Sequence, residues 1–213
     1  MKAYSLHAAL AVQVSMLSLV GPGDEILCPV PTYVSAAAAP CRLSHLKEAA
    51  AQNVYLQQAA LLGATIVEVP CGPEDDFVMM PAAVEQLITP RTKVLIHMSP
   101  NNPTGAVTPP EIVAELAELA VKHDIVVMSD EIYADQMYDG HKHVSIATMP
   151  GMRERTIVLN GASKAYSMTG WRVGFLAAPE AFVKQAALLA GQLSLSVSAP
   201  SQARRPPHPC PTS

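Results

Sequence analysis

The sequence predicts an α/β protein, a mostly parallel sheet flanked by helices, and three observations predict it. Short apolar runs rich in β-branched residues alternate with longer helix-forming stretches from Ile26 onward. One stretch, Pro110 to His123, has clear helical periodicity: Ile112, Leu116, Leu119 and Ala120 share a face, while Glu111, Glu115 and Glu118 lie elsewhere. Polar clusters follow three of the apolar runs, and in such sheets ligands bind beyond the carboxyl ends of the strands.

Taken in order, the run Ala8 to Val20 after Met1-Lys2 imitates a secretory signal, but Gly21-Pro22-Gly23-Asp24-Glu25 offers no small-x-small cleavage site. A domain helix ending at the Gly-Pro-Gly turn is expected there. Glu25 to Cys28 reads as a short strand, and Ala64 to Val69 as another. Met80 to Ile88 is a short helix with Pro81 in its first turn. Lys93 to Met98 is a buried strand. Strands Asp124 to Met128, Arg155 to Leu159 and Arg172 to Leu176 follow the periodic helix. The segment Ala36 to Val54 is Ala-rich and made of good helix formers. From Ser198 the chain is Pro-rich without apolar period, which predicts disorder.

Composition excludes several functions. The net charge is −4 with no basic stripe, and aromatic residues are 5% of the chain, so no nucleic-acid partner is expected. No uninterrupted apolar run reaches membrane-spanning length, so no membrane partner is expected. The four cysteines, Cys28, Cys41, Cys71 and Cys210, form no C-x-x-C pair and no zinc-like cluster, so no metal site is expected. They read as thiols of a reducing compartment. His141 and His143 flank Lys142 in a polar stretch that reads as a solvated loop. Neither a G-x-G-x-x-G nor a G-x-x-x-x-G-K-[ST] run is present to suggest a generic nucleotide-binding domain.

The polar clusters carry the chemistry. Ser99-Pro100-Asn101-Asn102-Pro103-Thr104-Gly105 follows one strand, Ser129-Asp130-Glu131-Ile132-Tyr133 the next, and Asn160-Gly161-Ala162-Ser163-Lys164 a third. The topology therefore brings Asn102, Asp130 and Lys164 toward one crevice. A lysine amine is a covalent catalyst toward aldehydes when unprotonated. Arg172, eight positions beyond Lys164, can return to the same site after a turn at Gly170, and its planar fork suits a phosphate. The Ser163 hydroxyl can add a hydrogen bond to that phosphate. A carboxylate such as Asp130, beside the pyridine nitrogen of pyridoxal 5′-phosphate (PLP), keeps that nitrogen protonated and makes the ring an electron sink. Tyr133 and Asn102 can hydrogen-bond the ring's phenolic oxygen.

The stretches GDEILCPVPTYVS, ITPRTKVLIHMSPNNPTGAV, VKHDIVVMSDEIY and NGASKAYSMTGWRVGF resemble, in order, those of the class I/II aminotransferases, the aspartate-aminotransferase-like group of fold-type I PLP enzymes. The resemblance covers roughly residues 12–35 and 55–192. It implies the large domain of a PLP-dependent transferase, with PLP as cofactor and amino-group transfer between an amino acid and a 2-oxo acid. It also implies a homodimeric family and a cytosolic or organelle-stroma setting. Lys164 would carry the Schiff base and move the proton; Asp130 would pair with the pyridinium. Tyr133 and Asn102 would bind the phenolic oxygen, and Asn102 would help seat the substrate carboxylate. Ser163 and Arg172 would hold the phosphate. Tyr33 matches the aromatic residue that stacks on the cofactor ring.

The chain also departs from that pattern. His7-Ala8-Ala9 stands where the family has a glycine-bearing, phosphate-binding turn, and the family's N-terminal arm is expected to be missing. Residues 36–54 read as an insertion, because joining Ser35 to Tyr55 restores an uninterrupted family sequence. The expected organisation is a large domain over residues 1–197 carrying that insertion, a disordered tail over 198–213, and a missing small domain with its carboxylate-clamping arginine. The alternative is therefore a catalytically impaired PLP-binding fragment without turnover.

Overall fold

The computed structural model describes residues 1–6, 8–32 and 54–194. Tyr33, Cys41, Cys210, all but the last residue of the expected insertion and the Pro-rich tail lie outside the described residues. Seven strands form one sheet: β1 (Lys2–Leu6), β2 (Glu25–Val30), β3 (Thr65–Pro70), β4 (Thr92–Met98), β5 (Val126–Asp130), β6 (Thr156–Gly161) and β7 (Gly174–Ala178). Their order is β1-β7-β6-β5-β4-β2-β3. The pairs β2–β3, β2–β4, β4–β5 and β5–β6 are parallel, and β7 runs antiparallel to both its neighbours. The sheet is thus mostly parallel, as the sequence predicts. The order reverses between β2 and β4, the place where such sheets open a crevice.

Both faces of the sheet are covered, which is why its strands read as near-continuous apolar runs. Ile26, Cys28, Val94, Ile96, Met98, Met128, Ile157, Leu159 and Leu176 point to one face. There they meet α1 (Ala8–Leu19), α2 (Val54–Leu62) and α6 (Glu180–Leu193) through residues such as Leu10, Val14, Met16, Ala59, Ala186 and Ala190. The intervening residues Leu27, Leu95 and Val127 point to the other face, toward α3 (Pro81–Leu87) and α4 (Pro110–Lys122). The apolar run after Met1-Lys2 is thus a domain helix: Leu10, Ala11, Val12, Val14, Ser15 and Met16 of α1 are buried. No helix among the described residues is long and apolar enough to cross a membrane.

Several elements depart in detail from the sequence expectation. On α4 the fully buried residues are Val113, Leu116, Ala117 and Ala120, while Ile112 and Leu119 flank the core, so the buried stripe is rotated toward Val113. β5 starts at Val126, two residues later than expected, because Asp124 turns in the left-handed region at φ 53°. The strand also ends two residues later than expected, at Asp130. β1, α2, α6 and the short helix Ala162–Ala165 are additional elements. β1 has no β-branched residue, and its pairing with β7 orders it. The thiols of Cys28 and Cys71 are free and buried, and burial pushes Cys28 up to about 12, which keeps it protonated and unreactive.

The junction of β6 with β7 leads directly to the site. Gly161 pairs with Gly174, and the Ala162 N–H donates to the Val173 carbonyl at 3.0 Å. A Cβ on Gly161 would lie 2.8 Å from the Val173 oxygen and 2.9 Å from the Gly174 Cα, both backbone atoms. Gly161→Ala must therefore push the strands apart. The expected cost is about 1–3 kcal/mol, as for other overpacking substitutions, read as a lowered denaturant midpoint at unchanged m-value.

Candidate active site

A cavity of ≈ 260 Å³ opens beyond the carboxyl ends of β4, β5 and β6. Its lining includes Asn102, Asp130, Tyr133, Ser163, Lys164 and Arg172, six of the seven residues that the sequence nominates. The seventh, Tyr33, lies outside the described residues. Three separate chain segments supply the six.

The loop after β4 presents Asn102. Gly105, at φ +75°, closes it with its N–H on the Asn101 carbonyl at 2.8 Å, a conformation that favours glycine. Buried Asn101 anchors the loop by donating from Nδ2 to the Pro31 carbonyl at 3.0 Å. Asn102 Nδ2 then donates to the Tyr133 hydroxyl at 3.3 Å, so the two expected partners of one ligand oxygen already touch.

Asp130 sits at the end of β5. Its Oδ2 accepts from the Tyr55 hydroxyl at 2.6 Å, and its Oδ1 accepts from the Ile132 N–H at 3.2 Å. Burial pushes the carboxyl above its ordinary value, against the downward pull of the Tyr55 and Ile132 hydrogen bonds, and the neighbouring Glu131 charge adds to the rise. Burial together with the Asp130 charge drives the Tyr55 phenol well above 10, so Tyr55 stays a hydrogen-bond donor. A raised acid held by two donors is suited to a cation that arrives with the ligand.

Lys164 lies on α5 (Ala162–Ala165), one turn after β6. Its Nζ stands 5.7 Å from the centroid of the Tyr133 ring, within cation–π range. The Lys164 carbonyl accepts from Gln136 Nε2 at 3.1 Å, which ties this helix to the turn that carries Tyr133. Arg172 closes the 3-10 turn Thr169–Trp171 in the left-handed region, at φ 55°. A non-glycine residue there is uncommon, and such strain concentrates at functional positions. Its Nη1 donates to the Thr169 carbonyl at 3.1 Å, and the exposed guanidinium reaches the cavity rim.

Sequence reasoning did not nominate Tyr55, Asn160 or Thr169, which also line the cavity. Tyr55 meets Asp130 across 75 positions of sequence, and no local motif announces such a contact. The nearest signal was its place at the point where family-like sequence resumes. Ala8 and Ala9 of α1 line the wall where a glycine-bearing turn was noted as replaced. No His/Cys/Asp/Glu group among the described residues is arranged to hold a metal.

Comparison with known proteins agrees with this fold. The family model "Aminotransferase class I and II" matches residues 53–205, more than half of the chain. An aspartate aminotransferase of Pinus pinaster is 39% identical over 189 residues, covering 88% of this chain and 35% of the relative. Aromatic-amino-acid aminotransferase 2 of Thermococcus litoralis is 40% identical over 174 residues, covering 82% of this chain and 40% of the relative. The chain thus spans well under half the length of these curated relatives. Among solved structures, the aromatic aminotransferase of Pyrococcus horikoshii superposes with a TM-score of 0.83 at 34% identity, covering 94% of this chain and 49% of that one. Thermus thermophilus aspartate aminotransferase with maleate gives 0.81 at 36% identity, covering 94% and 47%. By motif, fold and match alike, the chain belongs to the class I and II aminotransferases.

Proposed function

We propose that this chain binds PLP in the cavity beyond β4, β5 and β6 and serves amino-group transfer between an amino acid and a 2-oxo acid. The observation that carries the reading is the convergence of Asp130 from one segment and Lys164 and Arg172 from another on one cavity that Asn102, Tyr133 and Ser163 complete.

The donor set fits PLP. Asp130 offers a carboxylate, already braced by Tyr55 and the Ile132 N–H, to a protonated ring nitrogen. Asn102 and Tyr133, hydrogen-bonded to each other, offer donors to a ring oxygen. Ser163 and Arg172 offer a hydroxyl and a permanent charge to a phosphate. PLP, when bound, supplies an aldehyde and an electron sink. Lys164 supplies the amine that holds the aldehyde and carries a proton to and from the substrate α-carbon. Tyr33 is assigned to the ring face by its place in the family motif.

Residues 1–197 form the cofactor-binding large domain in this reading, with 36–54 an insertion and 198–213 a tail. Dicarboxylic and aromatic amino acids are the favoured donors, after the names of the aspartate, aromatic and aspartate/prephenate aminotransferases that the chain resembles. A second copy of the chain, as in the family, is the proposed partner. The buried free thiols of Cys28 and Cys71 suit a reducing compartment, cytosol or organelle stroma.

Adding PLP to the purified protein is expected to give the shifted absorbance of PLP joined to an amine. Aspartate, glutamate or an aromatic amino acid is expected to discharge it, with release of the matching 2-oxo acid. A folded protein that shows no such band would remove the reading. A band that no amino acid discharges would establish binding without turnover instead.

A further inference from the structure

Glu131 stands between two residues of the proposed PLP site, Asp130 and Tyr133, yet it does not line the cavity. It is buried, and it bonds Ser129, whose side chain alternates with that of Asp130 along β5 and so faces the opposite side of the sheet. A buried carboxylate is costly unless its oxygens are satisfied. Here Oε1 accepts from the Ser129 hydroxyl at 2.9 Å and from the Ser145 hydroxyl at 2.5 Å. His143 brings Nε2 to 3.1 Å from Oε2, a close approach with the ring off the hydrogen-bond line. Burial pushes the Glu131 carboxyl upward, but His143, Ser145 and Ser129 together outweigh it and leave the group below its ordinary value. His97 of β4 is on this side too, and burial lowers it to about 4, so it adds no charge at neutral pH. The sequence reads 141–143 as a solvated loop. His141 is exposed as expected, but the side chain of His143 is only 13% exposed, because it turns inward to Glu131.

The backbone of Glu131 links this cluster to the cavity. Its N–H donates to the Leu159 carbonyl at 2.9 Å, and its carbonyl accepts from the Ala134 N–H at 3.0 Å. The turn continues with the Gln136 N–H on the Tyr133 carbonyl at 2.8 Å, and the Gln136 side chain reaches the Lys164 carbonyl. Asp130, Tyr133 and Lys164 are therefore all attached to the segment that Glu131 anchors.

We propose that Glu131, held by Ser129, Ser145 and His143, is a positioning residue: a clamp behind the sheet that fixes the 130–136 segment so that Asp130 and Tyr133 face PLP. This rests on the PLP reading above.

The test compares Glu131→Ala, Glu131→Gln and a Ser145→Ala/His143→Ala double variant. Two quantities are read: the Kd for PLP by absorbance titration, and amide hydrogen exchange over residues 130–136 in the PLP-free protein. Glu131→Ala is expected to raise the PLP Kd by about tenfold or more and to speed exchange in that segment, as the loss of hydrogen bonds to a buried charge would do. The double variant leaves every cavity residue intact and is expected to move both readouts in the same direction. Glu131→Gln still accepts from Ser129 and Ser145 and is expected to restore the Kd to within a few-fold of wild type. A rescue of that kind distinguishes positioning from general destabilisation. A folded double variant with unchanged Kd and unchanged exchange would overturn the proposal, and so would a failure of Glu131→Gln to rescue. If the wild type takes up no PLP, the functional reading fails, while the exchange measurement still decides whether the clamp orders the segment.

Discussion

Lys164→Ala is expected to abolish the amine-linked PLP absorbance and to slow amino-acid turnover by about 10²–10⁴-fold, the usual worth of a positioned proton-transfer group. The fold should survive. Lys164 is half-buried on a four-residue helix, and its side chain meets Tyr133 at 5.7 Å. That contact is worth only about 0.5–1 kcal/mol when exposed. The melting temperature should thus fall by no more than about 2–4 °C, the shift that about 1 kcal/mol produces in a chain of this size. Large loss of function with small loss of stability is the signature of a residue kept for chemistry. A Lys164→Ala protein that retained the band would show that another amine takes up PLP, and the role assigned to Lys164 would fall.

The parts of the fold that were legible in the sequence are those whose signal is local and repeated. The runs Glu25 to Cys28 and Lys93 to Met98 read as strands because a sheet buried on both faces needs apolar residues at most positions. The periodicity of Pro110 to His123 gave α4 but set its buried stripe slightly off, because Val113 and Ala117 belong to one buried cluster with Ile146 and Met152, which come from a later loop. β1 was illegible for a related reason: Lys2 to Leu6 carries little strand propensity and is ordered by β7, more than 160 positions away. The helix α6 was legible in principle, since Phe182, Val183, Ala186, Leu189 and Ala190 recur at helical spacing after Pro179. In the site, residues in short motifs at strand ends were nominated, and six of them line one cavity. Tyr55 and Glu131 were not nominated, since their importance lies in what they touch, across 75 positions for one and behind the sheet for the other.

Asp130→Asn is expected to have effects of opposite sign on stability and on function. Burial raises the Asp130 carboxyl in the folded chain. A raised acid favours folding in its protonated form, so its contribution is full below the ordinary carboxyl value and is lost as pH rises through the raised one. As pH rises toward neutrality the PLP-free protein therefore loses that contribution, because the charged form of Asp130 is disfavoured where it sits. Asparagine removes that charge and keeps the shape. Its Oδ1 still accepts from the Ile132 N–H, and its amide donates to the Tyr55 hydroxyl, whose oxygen is also an acceptor. The PLP-free variant should melt above wild type near neutral pH, and the two should converge in acid. Function should move the other way. Breaking a buried ion pair by removing one partner costs about 3–5 kcal/mol, so PLP affinity or amino-acid turnover should fall by about 10²–10⁴-fold. Thermal melts across pH, paired with PLP titration and the amino-acid reaction, read both signs in one protein. A variant that melted below wild type in the absence of PLP would mean that the Asp130 charge supports the fold, and that its place at the cavity owes nothing to a cation it awaits.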